Sequence, residues 1–408
     1  MISSFFVGAN TLLTESQDLT IISDNIANVN TIGYKEKVPV FSSVLAQVST
    51  SESGSKEVAS YVGISQTLNN FSQGILMQTD QPLNVAITGP GFFVVSDGSQ
   101  FYYTRNGEFK LTKEDDKVYI TTPDGLKVLG TKNVNLSLTE LSSLSPIDIP
   151  FSIPPKPTTT IKFCQTNLEA AASICEAPFD PLNSKSYNFS SSVKVYDAKG
   201  NIHNIEVYFR KVEDSKWEVY FGKDQNIFNK DNPITLEFDS TGKLISVNGQ
   251  NTTQAFLKFE GILDNLITID FRKVTNWSYN FTIQVESDGY PLGELTSLGV
   301  SKEGIVTVNY SNGISKNIAR LALAYFSDEQ ALTEISGARF VDTLNKANPK
   351  YFPAGYVSSI LPSALEASNV DMSKQIINLI KAQRIYQANS KAVITSDEFV
   401  VDALGLKR

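Results

Sequence analysis

The sequence predicts a multidomain protein with all-β outer domains, one inserted in the other, and with N- and C-terminal α-helices that pair as a coiled coil. Three observations support this fold class. Apolar residues recur at steps of three and four near both ends of the 408-residue chain. Short β-branched and aromatic runs separated by turn residues fill the middle, and a proline-rich stretch divides them. The expected parts are an N-terminal assembly helix at 1–30, an irregular connector at 31–70, a β-domain at 71–147 plus 290–358, an inserted β-domain at 148–289 and a C-terminal assembly helix at 359–408.

The C-terminal segment 365–404 predicts one long helix. It contains neither Pro nor Gly, and Ser368 followed by Asp371 is typical of a helix N-terminus. Alternating steps of four and three residues select positions that are mostly apolar, and this 3.5-residue period predicts a narrow seam against a partner helix. The seam positions are Leu365, Asn369, Met372, Ile376, Leu379, Gln383, Tyr386, Ser390, Val393, Asp397, Val400 and Leu404.

The N-terminal segment is the expected partner of this helix. Between residues 2 and 30, apolar side chains are spaced by three, four or seven residues, at Phe5, Ala9, Leu12, Leu19, Ile22, Ile26 and Val29. Neither Lys nor Arg occurs before Lys35, and the segment has no long apolar core, so a cleaved signal peptide is not expected. Gly33 suits the turn that ends the helix, because glycine accepts a positive φ.

Composition excludes several classes of function. The chain has 35 basic and 43 acidic residues, a net charge of −8, which argues against a nucleic-acid partner. The longest apolar runs fall short of 18 residues, so a membrane span is not expected. A charged fraction of only 19%, with many Ser, Thr and Asn residues, suits an extracellular β-protein or one packed against many copies of itself.

Residues that could carry catalysis or bind metal are few and scattered. Cys164 and Cys175 have no second pair and no nearby His, so the sequence predicts neither a metal site nor a cofactor; they are either a disulfide or buried thiols. His203, the only histidine, is expected in a strand. The carboxylates at 114–116, Glu260 and Asp264 are expected in solvated loops. We therefore expect no catalytic residues and no enzyme.

The middle of the chain divides into three β-rich blocks. The first has runs at 83–87, 92–95, 101–104, 109–111 and 118–120, separated by turn signals that include Gly89-Pro90-Gly91 and Asn106-Gly107. Four prolines between 150 and 157 indicate a boundary. A hairpin is predicted from 193–196 and 205–209 in the second block, and the third, 297–326, repeats the Asn-Gly turns of the first. The second block is therefore expected as an insertion, whereas the Ser- and Thr-rich stretch 38–70 is expected to be irregular.

Several of these segments resemble the bacterial flagellar rod and hook proteins. The run SDNIANVNTIGYK at 23–35 resembles the N-terminal signature of the family, and LEASNVD at 365–371 with QRIYQANS at 383–390 resembles its C-terminal signature. GPGFFVV at 89–95 and YTRNG at 103–107 resemble its shared β-domain. Length, the inserted block and SDGYPLG at 287–293 favour a hook subunit over the shorter rod subunits. A distal rod or another hook-like axial subunit is the alternative, and a secreted β-domain adhesin is a distant one.

The resemblance implies a structural subunit that self-assembles into a helical tubular filament. Such a filament acts as a flexible joint that transmits torque from the basal body rod to the flagellar filament. The implied partners are copies of the chain itself, the rod, hook-cap and hook–filament junction proteins, and the type III export apparatus. The implied location is the extracellular hook, reached without a cleaved signal peptide.

The apolar periodicity of the terminal segments and the family resemblance together indicate the residues that mediate assembly. They are Phe5, Leu12, Leu19, Ile22, Asn25, Ile26, Asn28, Asn30 and Gly33 in the N-terminal segment, and the seam residues other than Ser390 and Asp397 in the C-terminal one. Burying the apolar seam would contribute on the order of 10–20 kcal/mol, which an isolated helix in water cannot obtain. We therefore expect terminal segments that fold on assembly. The polar seam residues either fix the register or face a channel, or they are ordinary exposed positions.

Overall fold

A computed structural model describes residues 2–49, 56–114, 117–133, 144–336, 338–343 and 346–405. The chain forms two compact units. Unit 1 comprises Met1–Pro150, Ser297–Val308 and Ser315–Arg408, and unit 2 comprises Phe151–Thr296 and Asn309–Ile314.

The described elements are two long helices and many short strands. The helices are α1 (Ile2–Ala27) and α2 (Met372–Gly405). The first strands are β1 (Lys37–Ser49), β2 (Lys56–Asn69), β3 (Leu76–Gln78), β4 (Val85–Thr88), β5 (Phe92–Ser96), β6 (Phe101–Thr104), β7 (Lys110–Glu114), β8 (Lys117–Thr121), β9 (Lys127–Thr131), β10 (Ser145–Pro146) and β11 (Asp148–Ile149). Then follow β12 (Ser152–Ile153), β13 (Thr160–Phe163), β14 (Thr166–Asn167), β15 (Phe189–Tyr196), β16 (Ile202–Glu213), β17 (Lys216–Lys223), β18 (Asn226–Ile227), β19 (Ile234–Phe238), β20 (Leu244–Val247), β21 (Gln254–Lys258), β22 (Leu266–Asp270), β23 (Val274–Thr275) and β24 (Val285–Ser287). The last are β25 (Gly293–Val300), β26 (Ile305–Tyr310), β27 (Ser315–Tyr325), β28 (Thr333–Ile335), β29 (Arg339–Val341), β30 (Lys350–Pro353), β31 (Ser359–Pro362) and β32 (Ala364–Glu366).

Unit 1 is built on a sheet whose central order is β27-β9-β5-β6-β29-β28. All five residues of β5 are buried, because this strand lies in the middle of the sheet and is apolar on both faces. Edge-to-face aromatic pairs fill the core, including Phe92 with Phe326 at 5.6 Å and Tyr103 with Phe326 at 4.7 Å between ring centroids. The predicted strands at 92–95, 101–104 and 118–120 are confirmed.

Unit 2 has a six-stranded sheet, β15-β16-β17-β19-β20 with β18 paired to β17, and a four-stranded sheet, β21-β22-β13-β24. Their apolar faces share one core that contains the fully buried Trp217, Phe209 and Phe271. The predicted hairpin is confirmed, with Val193 opposite Ile205 in the β15–β16 register. His203 lies in β16, as expected.

The expectation of an irregular connector at 31–70 is wrong for 37–49 and 56–69, whereas 50–55 lie outside the described residues. Strands β1 and β2 pair antiparallel from Lys37↔Asn69 to Ser49↔Lys56, with one register shift after Val40. The two strands form a sheet of their own, and in 37–44 and 60–69 every side chain is exposed or half-buried, so the burial pattern that identifies a strand is weak there. Ser and Thr are common in loops but are also compatible with half-exposed strands, so the composition alone favoured the wrong structure.

The prediction that the C-terminal helix begins near Leu365 is also wrong. Leu365 lies in β32, which pairs with β3, and α2 begins only at Met372. The carboxylate of Asp371 accepts hydrogen bonds from the backbone N–H groups of Ser373 and Lys374, at 2.9 and 3.2 Å, and so caps the helix. The hydroxyl of Ser368 accepts instead from the N–H of Val370, at 3.3 Å, before the helix starts.

Asn106-Gly107, a predicted turn signal, lies between two strands that do not pair with each other. Strand β6 pairs with β5 and β29, whereas β7 pairs with β8. Gly107 lies against β4 so closely that a Cβ would be 1.7 Å from the carbonyl oxygen of Val85. Glycine is therefore required here for a close backbone approach and not for a tight turn.

Helices α1 and α2 pack against each other and run antiparallel. Gly8, near the start of α1, faces Val393 in the second half of α2, since a Cβ on Gly8 would lie 2.5 Å from Cγ2 of Val393. At the other end, Gln375 in the first turn of α2 bonds to Glu36, which follows α1. Among the described residues, neither helix has an apolar stretch long enough to cross a membrane.

Candidate functional site

A buried ion cluster joins the two terminal segments to the β-rich part of unit 1. It consists of Lys35, Arg105 and Glu366, whose side chains are 1%, 2% and 0% exposed. The Nζ of Lys35 lies 2.6 Å from Oε1 of Glu366, and Nη1 of Arg105 lies 3.2 Å from Oε2. Burial lowers the pKa of Lys35, and the charge of Glu366 opposes that shift. One carboxylate therefore serves two cations that come from distant parts of the chain.

Backbone groups complete the surroundings of this cluster. The N–H of Gly74 donates to Oε1 of Glu366 at 2.8 Å, and the ammonium of Lys35 donates to the carbonyl of Ser72 at 2.7 Å. The N–H of Gly33 donates to the backbone carbonyl of Glu366 at 2.8 Å. Buried charges are tolerated when they are paired and hydrogen-bonded in this way.

A second set of polar contacts continues from the cluster to the start of α2. Oδ1 of Asn369 accepts from the N–H of Glu36 at 2.7 Å, and its amide donates to the carbonyl of Asn70 at 2.7 Å. The amide of Gln375, 2% exposed, donates to the carboxylate of Glu36 at 2.7 Å. The first turn of α2 is thus bound to the segment that follows α1.

Asn25 fixes the other side of the junction, where α1 leads into β1. Its side chain accepts from the N–H of Lys37 at 2.9 Å and donates to the carbonyl of the same residue at 2.8 Å. The hydroxyl of Tyr34 also donates to Asn25, at 3.3 Å. A buried amide that bonds both backbone groups of one residue holds the chain in a single path, so the direction of β1 relative to α1 is set here.

Gly33 lets these segments approach each other. Its φ is +72°, and a Cβ would lie 2.5 Å from the backbone nitrogen of Asn106. The segments 23–35, 103–107 and 365–371 therefore meet at one place, which we call the terminal junction (Asn25, Gly33, Lys35, Glu36, Arg105, Glu366, Asn369 and Gln375).

Beyond the junction, α2 presents two different faces. The residues that are buried or half-buried toward α1 are Gln375, Asn378, Leu379, Ala382, Asn389, Ser390, Val393 and Ser396. A second face carries Met372, Ile376, Ile380, Ile394 and Val401, which are all exposed. These five are separated by multiples of four and seven residues and therefore share one side of the helix. We call them the apolar stripe of α2.

Helices α1 and α2 leave a cleft of about 490 Å³ between them, which β1 also lines. Its walls carry the charged residues Glu15, Asp18 and Lys381 as well as apolar ones, including Ile22 and Phe41. Burial raises the pKa of Glu15, and the neighbouring charge of Asp18 adds to the shift. Charged side chains of both helices thus line this cleft, while the apolar stripe of α2 is exposed.

Comparison with known proteins identifies the family. The chain is 31% identical to the flagellar hook protein FlgE of Escherichia coli (strain K12), across 99% of this chain and 100% of that protein. The chain belongs to the flagellar hook protein family. It is also 30% identical to the flagellar hook protein FlgE of Salmonella typhimurium, across 99% and 100% of the two chains. This chain is therefore a structural subunit of the bacterial flagellar hook, and its relatives imply that it is located there.

The domain families matched along the chain agree with this assignment. Residues 6–35 match the flagella basal body rod protein family, and 86–162 match the flagellar hook protein FlgE/F/G D1 domain. Residues 167–290 match the flagellar basal body protein FlaE D2 domain, and 361–400 match the C-terminal family of the basal body rod FlgEFG proteins. In fold, the chain resembles the crystal structure of Helicobacter pylori flagellar hook protein FlgE2, with a TM-score of 0.51 and 16% identity over 71% of this chain and 100% of that one.

The residues predicted to mediate assembly fall into three groups. Asn25, Gly33, Leu365 and Asn369 lie in or beside the terminal junction. Leu12, Leu19, Ile22, Ile26, Leu379 and Val393 are buried or half-buried along α1 and α2, and Asn28 is half-buried just after α1. Asn30, Met372, Ile376, Gln383 and Tyr386 are exposed. The side chains of Phe5, Val400 and Leu404 lie outside the described part of the structure. The seam predicted from the 3.5-residue period therefore included residues from two different faces of α2.

Sequence reasoning missed the charged members of the junction. Lys35, Arg105 and Glu366 occur within the quoted motifs, but nothing in the spacing shows that they meet. The available signal was a charged residue inside an otherwise apolar or turn-forming motif. Other residues considered earlier are less central. Cys164 and Cys175 are free thiols and only half-buried, and the side chains of Glu114, Glu260 and Asp264 are exposed. Asp115 and Asp116 lie outside the described residues.

Proposed function

We propose that this chain polymerises with copies of itself through its terminal helices, which pair as a coiled coil, into a helical tubular filament. The apolar stripe of α2 is the observation that supports this proposal. Ile376, Ile380 and Ile394 are 44%, 48% and 55% exposed, and burying the remaining surface of each would contribute on the order of 1 kcal/mol. A second copy of the chain is the partner that would cover this exposed apolar surface.

A repeated head-to-tail contact of this kind gives an open filament unless the rotation closes a ring. In the hook, such a filament would transmit torque from the rod to the flagellar filament as a flexible joint. The rod, hook-cap and hook–filament junction proteins would then be its end-to-end partners, and type III export without a cleaved signal peptide would deliver the subunit. A distal-rod or hook-like axial subunit would use the same helices.

The domain arrangement that accompanies this function is an inserted one. We propose that residues 148–289 form an outer β-domain inserted in the domain of 71–147 plus 290–358, because one segment carries the chain out and a later one returns it. The separation of unit 2 from the rest of the chain supports this arrangement.

The test is polymerisation of the full chain followed by electron microscopy and sedimentation. We expect tubular polymers from the unmodified chain and none from the double variant Ile380→Glu, Ile394→Glu, because charges in the stripe oppose burial. The control is Ile245→Glu, which replaces an equally exposed apolar residue of unit 2 (50%) and should leave polymerisation unchanged. Normal polymers from the double variant, or an unmodified chain that stays monomeric at high concentration, would contradict the proposal.

A further inference from the structure

One segment of unit 2 covers the outer face of its larger sheet. Residues 169–188 connect β14 to β15 and contain neither a helix nor a strand, and we call them the strap. Side chains of β16 and β17 alternate between the core and the outer face, and Tyr208 stands opposite Tyr220 on the outer face. The ring of Phe179, in the strap, stacks on Tyr220 with centroids 3.8 Å apart and meets Tyr208 edge-on at 5.4 Å. The two tyrosines are therefore only 6% and 5% exposed.

The guanidinium of Arg210 holds the middle of the strap. Arg210 lies two residues after Tyr208 and shares its face, and Nη1 of Arg210 lies 2.8 Å from Oε2 of Glu218 on β17. The Nη2 group donates to the backbone carbonyl oxygens of Cys175 and Ala177, at 3.1 and 3.0 Å. One planar, multidentate cation thus joins a carboxylate of the sheet to two backbone groups of the strap.

The ammonium of Lys211 holds the start of the strap. It donates to the carbonyl oxygens of Ala170 and Ala172, at 2.7 and 3.0 Å, and the side chain is 3% exposed. The carboxylate of Asp214, 3.7 Å away, faces solvent, so the two carbonyl oxygens are the buried partners of this charge. Because successive side chains of a strand point to opposite faces, Arg210 and Lys211 hold the strap from the two sides of β16.

Asn188 fixes the end of the strap that leads into β15. Its N–H donates to the carbonyl of Phe209 at 2.9 Å, and its Oδ1 accepts from the N–H of Lys211 at 2.7 Å. Its amide donates to the carbonyl of Ser173 at 2.7 Å, and the N–H of Cys175 donates to the carbonyl of Lys211 at 3.0 Å. These are separate point contacts, whereas β16 and β17 pair along most of their length. A segment attached at separate points opens at a lower free energy than a paired strand.

The strap also contains bonds of its own. The hydroxyl oxygen of Ser186, a fully buried residue, lies 2.7 and 2.8 Å from the carbonyl oxygens of Asp180 and Asn183. It also accepts from the N–H of Asp180 at 3.0 Å. These bonds do not involve the sheets, so residues 180–186 keep them when the contacts with β16 and β17 are lost.

We propose that the strap is a latched cover, which opens as one piece while both sheets of unit 2 stay folded. Arg210 and Lys211 are the latch, and both are positioning residues. Opening uncovers Tyr208 and Tyr220, so the latch controls whether this aromatic face of unit 2 is accessible. The device lies within unit 2 and depends neither on the terminal helices nor on polymerisation.

The test combines amide hydrogen exchange with tyrosine nitration by tetranitromethane, both on the full chain and read by mass spectrometry. Arg210→Met and Lys211→Met each remove a cation and keep an apolar stem. We expect each to increase exchange in 169–188 by about tenfold or more and to leave β16 and β17 within about twofold. Nitration of Tyr208 and Tyr220 should increase by about fivefold or more, because opening exposes both rings.

Two controls accompany these variants. Lys216→Met is the matched substitution, since Lys216 lies on β17 and pairs with Glu237 of the neighbouring strand β19 at 3.3 Å. It should leave exchange in 169–188 unchanged. Tyr279, which is 67% exposed, is the internal reference for nitration and should react equally in every variant.

Each result decides the question. Equal loosening of the strap and of β16 and β17 by Arg210→Met would overturn the proposal, because it would mean that the strap unfolds only with the sheet. Unchanged exchange in 169–188 would also overturn it, since the cations would then not hold the strap. So would an unmodified chain in which the strap exchanges as slowly as β16. Should Lys211→Met loosen β16 as well, Arg210→Met decides, because its side chain lies outside the core.

Discussion

The terminal junction at the start of α2 and the apolar stripe along α2 differ in what their side chains contact. In the first turn, Gln375 is 2% exposed and bonded to Glu36, and the segment just before it contributes Glu366 and Asn369 to the terminal junction. Further along, Ile380 and Ile394 expose about half of their surface. Polar groups are thus buried where the chain itself provides partners, and apolar groups are exposed where it provides none. The junction is complete within one subunit, whereas the rest of the helix is not.

This difference assigns separate physical roles to the junction and to the stripe. Buried, paired charges contribute little net stability but strongly disfavour alternative placements, because any other arrangement leaves a charge unpaired. Apolar surface is non-directional and contributes in proportion to its area. The junction therefore specifies where the helices start, and the apolar stripe supplies free energy for contacts with another copy. Four substitutions test this division, from the largest expected effect to the smallest.

Glu366→Ala should lower the free energy of unfolding of unit 1 by about 3–5 kcal/mol, since it leaves Lys35 and Arg105 as uncompensated buried charges. Urea unfolding followed by circular dichroism measures this change. Both tryptophans, Trp217 and Trp277, lie in unit 2, so their fluorescence reports whether unit 2 is unaffected. The control is Glu114→Gln, whose half-exposed pair with Lys127 should contribute about 1 kcal/mol or less. An equal effect of both variants would contradict the special role of the junction.

Asn25→Ala should cost about 1–3 kcal/mol, because it removes both side-chain bonds to the backbone of Lys37 and leaves those groups without their partner. We expect faster amide exchange at the start of β1 as well as a lower unfolding midpoint. Asn28→Ala is the matched control, since the recorded side-chain bonds of Asn28 are local: its amide donates to the carbonyl of Asp24 at 2.9 Å, and its Oδ1 accepts from the hydroxyl of Thr31 at 3.1 Å. A larger effect at Asn28 would show that Asn25 does not set the path of the chain.

Asp371→Ala should cost about 1 kcal/mol, the usual contribution of an N-cap. The loss should appear as faster exchange in the first turn of α2, while β32 keeps its protection. Ser368→Ala, the residue favoured by the sequence pattern, should leave the first turn of α2 unchanged. If Ser368→Ala increases exchange in the first turn of α2 and Asp371→Ala does not, the helix begins after Ser368, as the sequence pattern predicts.

Ile380→Glu should change the stability of the monomer by less than about 0.5 kcal/mol, because this side chain already faces solvent. Ala382→Glu, two residues away and 2% exposed against α1, should destabilise the helix pair and reduce the helical signal at 222 nm. Thermal unfolding of the two single variants compares the faces directly. Similar melting temperatures would mean that the two faces of α2 are not distinct in the free subunit.

The sequence was sufficient for features that arise from local patterns. Helices at both ends and the strands around Phe92, Tyr103, Val193 and Ile205 follow from apolar periodicity and turn residues, and the structure confirms them. The family assignment also follows from short motifs near the termini and is confirmed by full-length relatives. These features depend on residues within about one helical turn or one hairpin of each other.

Local rules failed where a distant segment changed the outcome. Residues 365–369 have helical spacing, but β3 offers a backbone partner to 364–366, which form a strand, and the chain from 367 to 371 stays outside the helix. Asn106-Gly107 has the composition of a tight turn, but the close approach of Val85 decides its conformation. The stretch 38–70 looks irregular because it is rich in Ser and Thr, whereas the pairing of β1 with β2 decides its conformation.

The sequence by itself determined the helical ends, the β-rich middle and the family, since each rests on patterns repeated along neighbouring residues. Only the tertiary structure decided which residues share the terminal junction, because Lys35 and Glu366 are 331 positions apart and no spacing relates them. It also decided which face of α2 remains open. Periodicity states that a helix has an apolar side, but the neighbours available in three dimensions determine whether that side is covered.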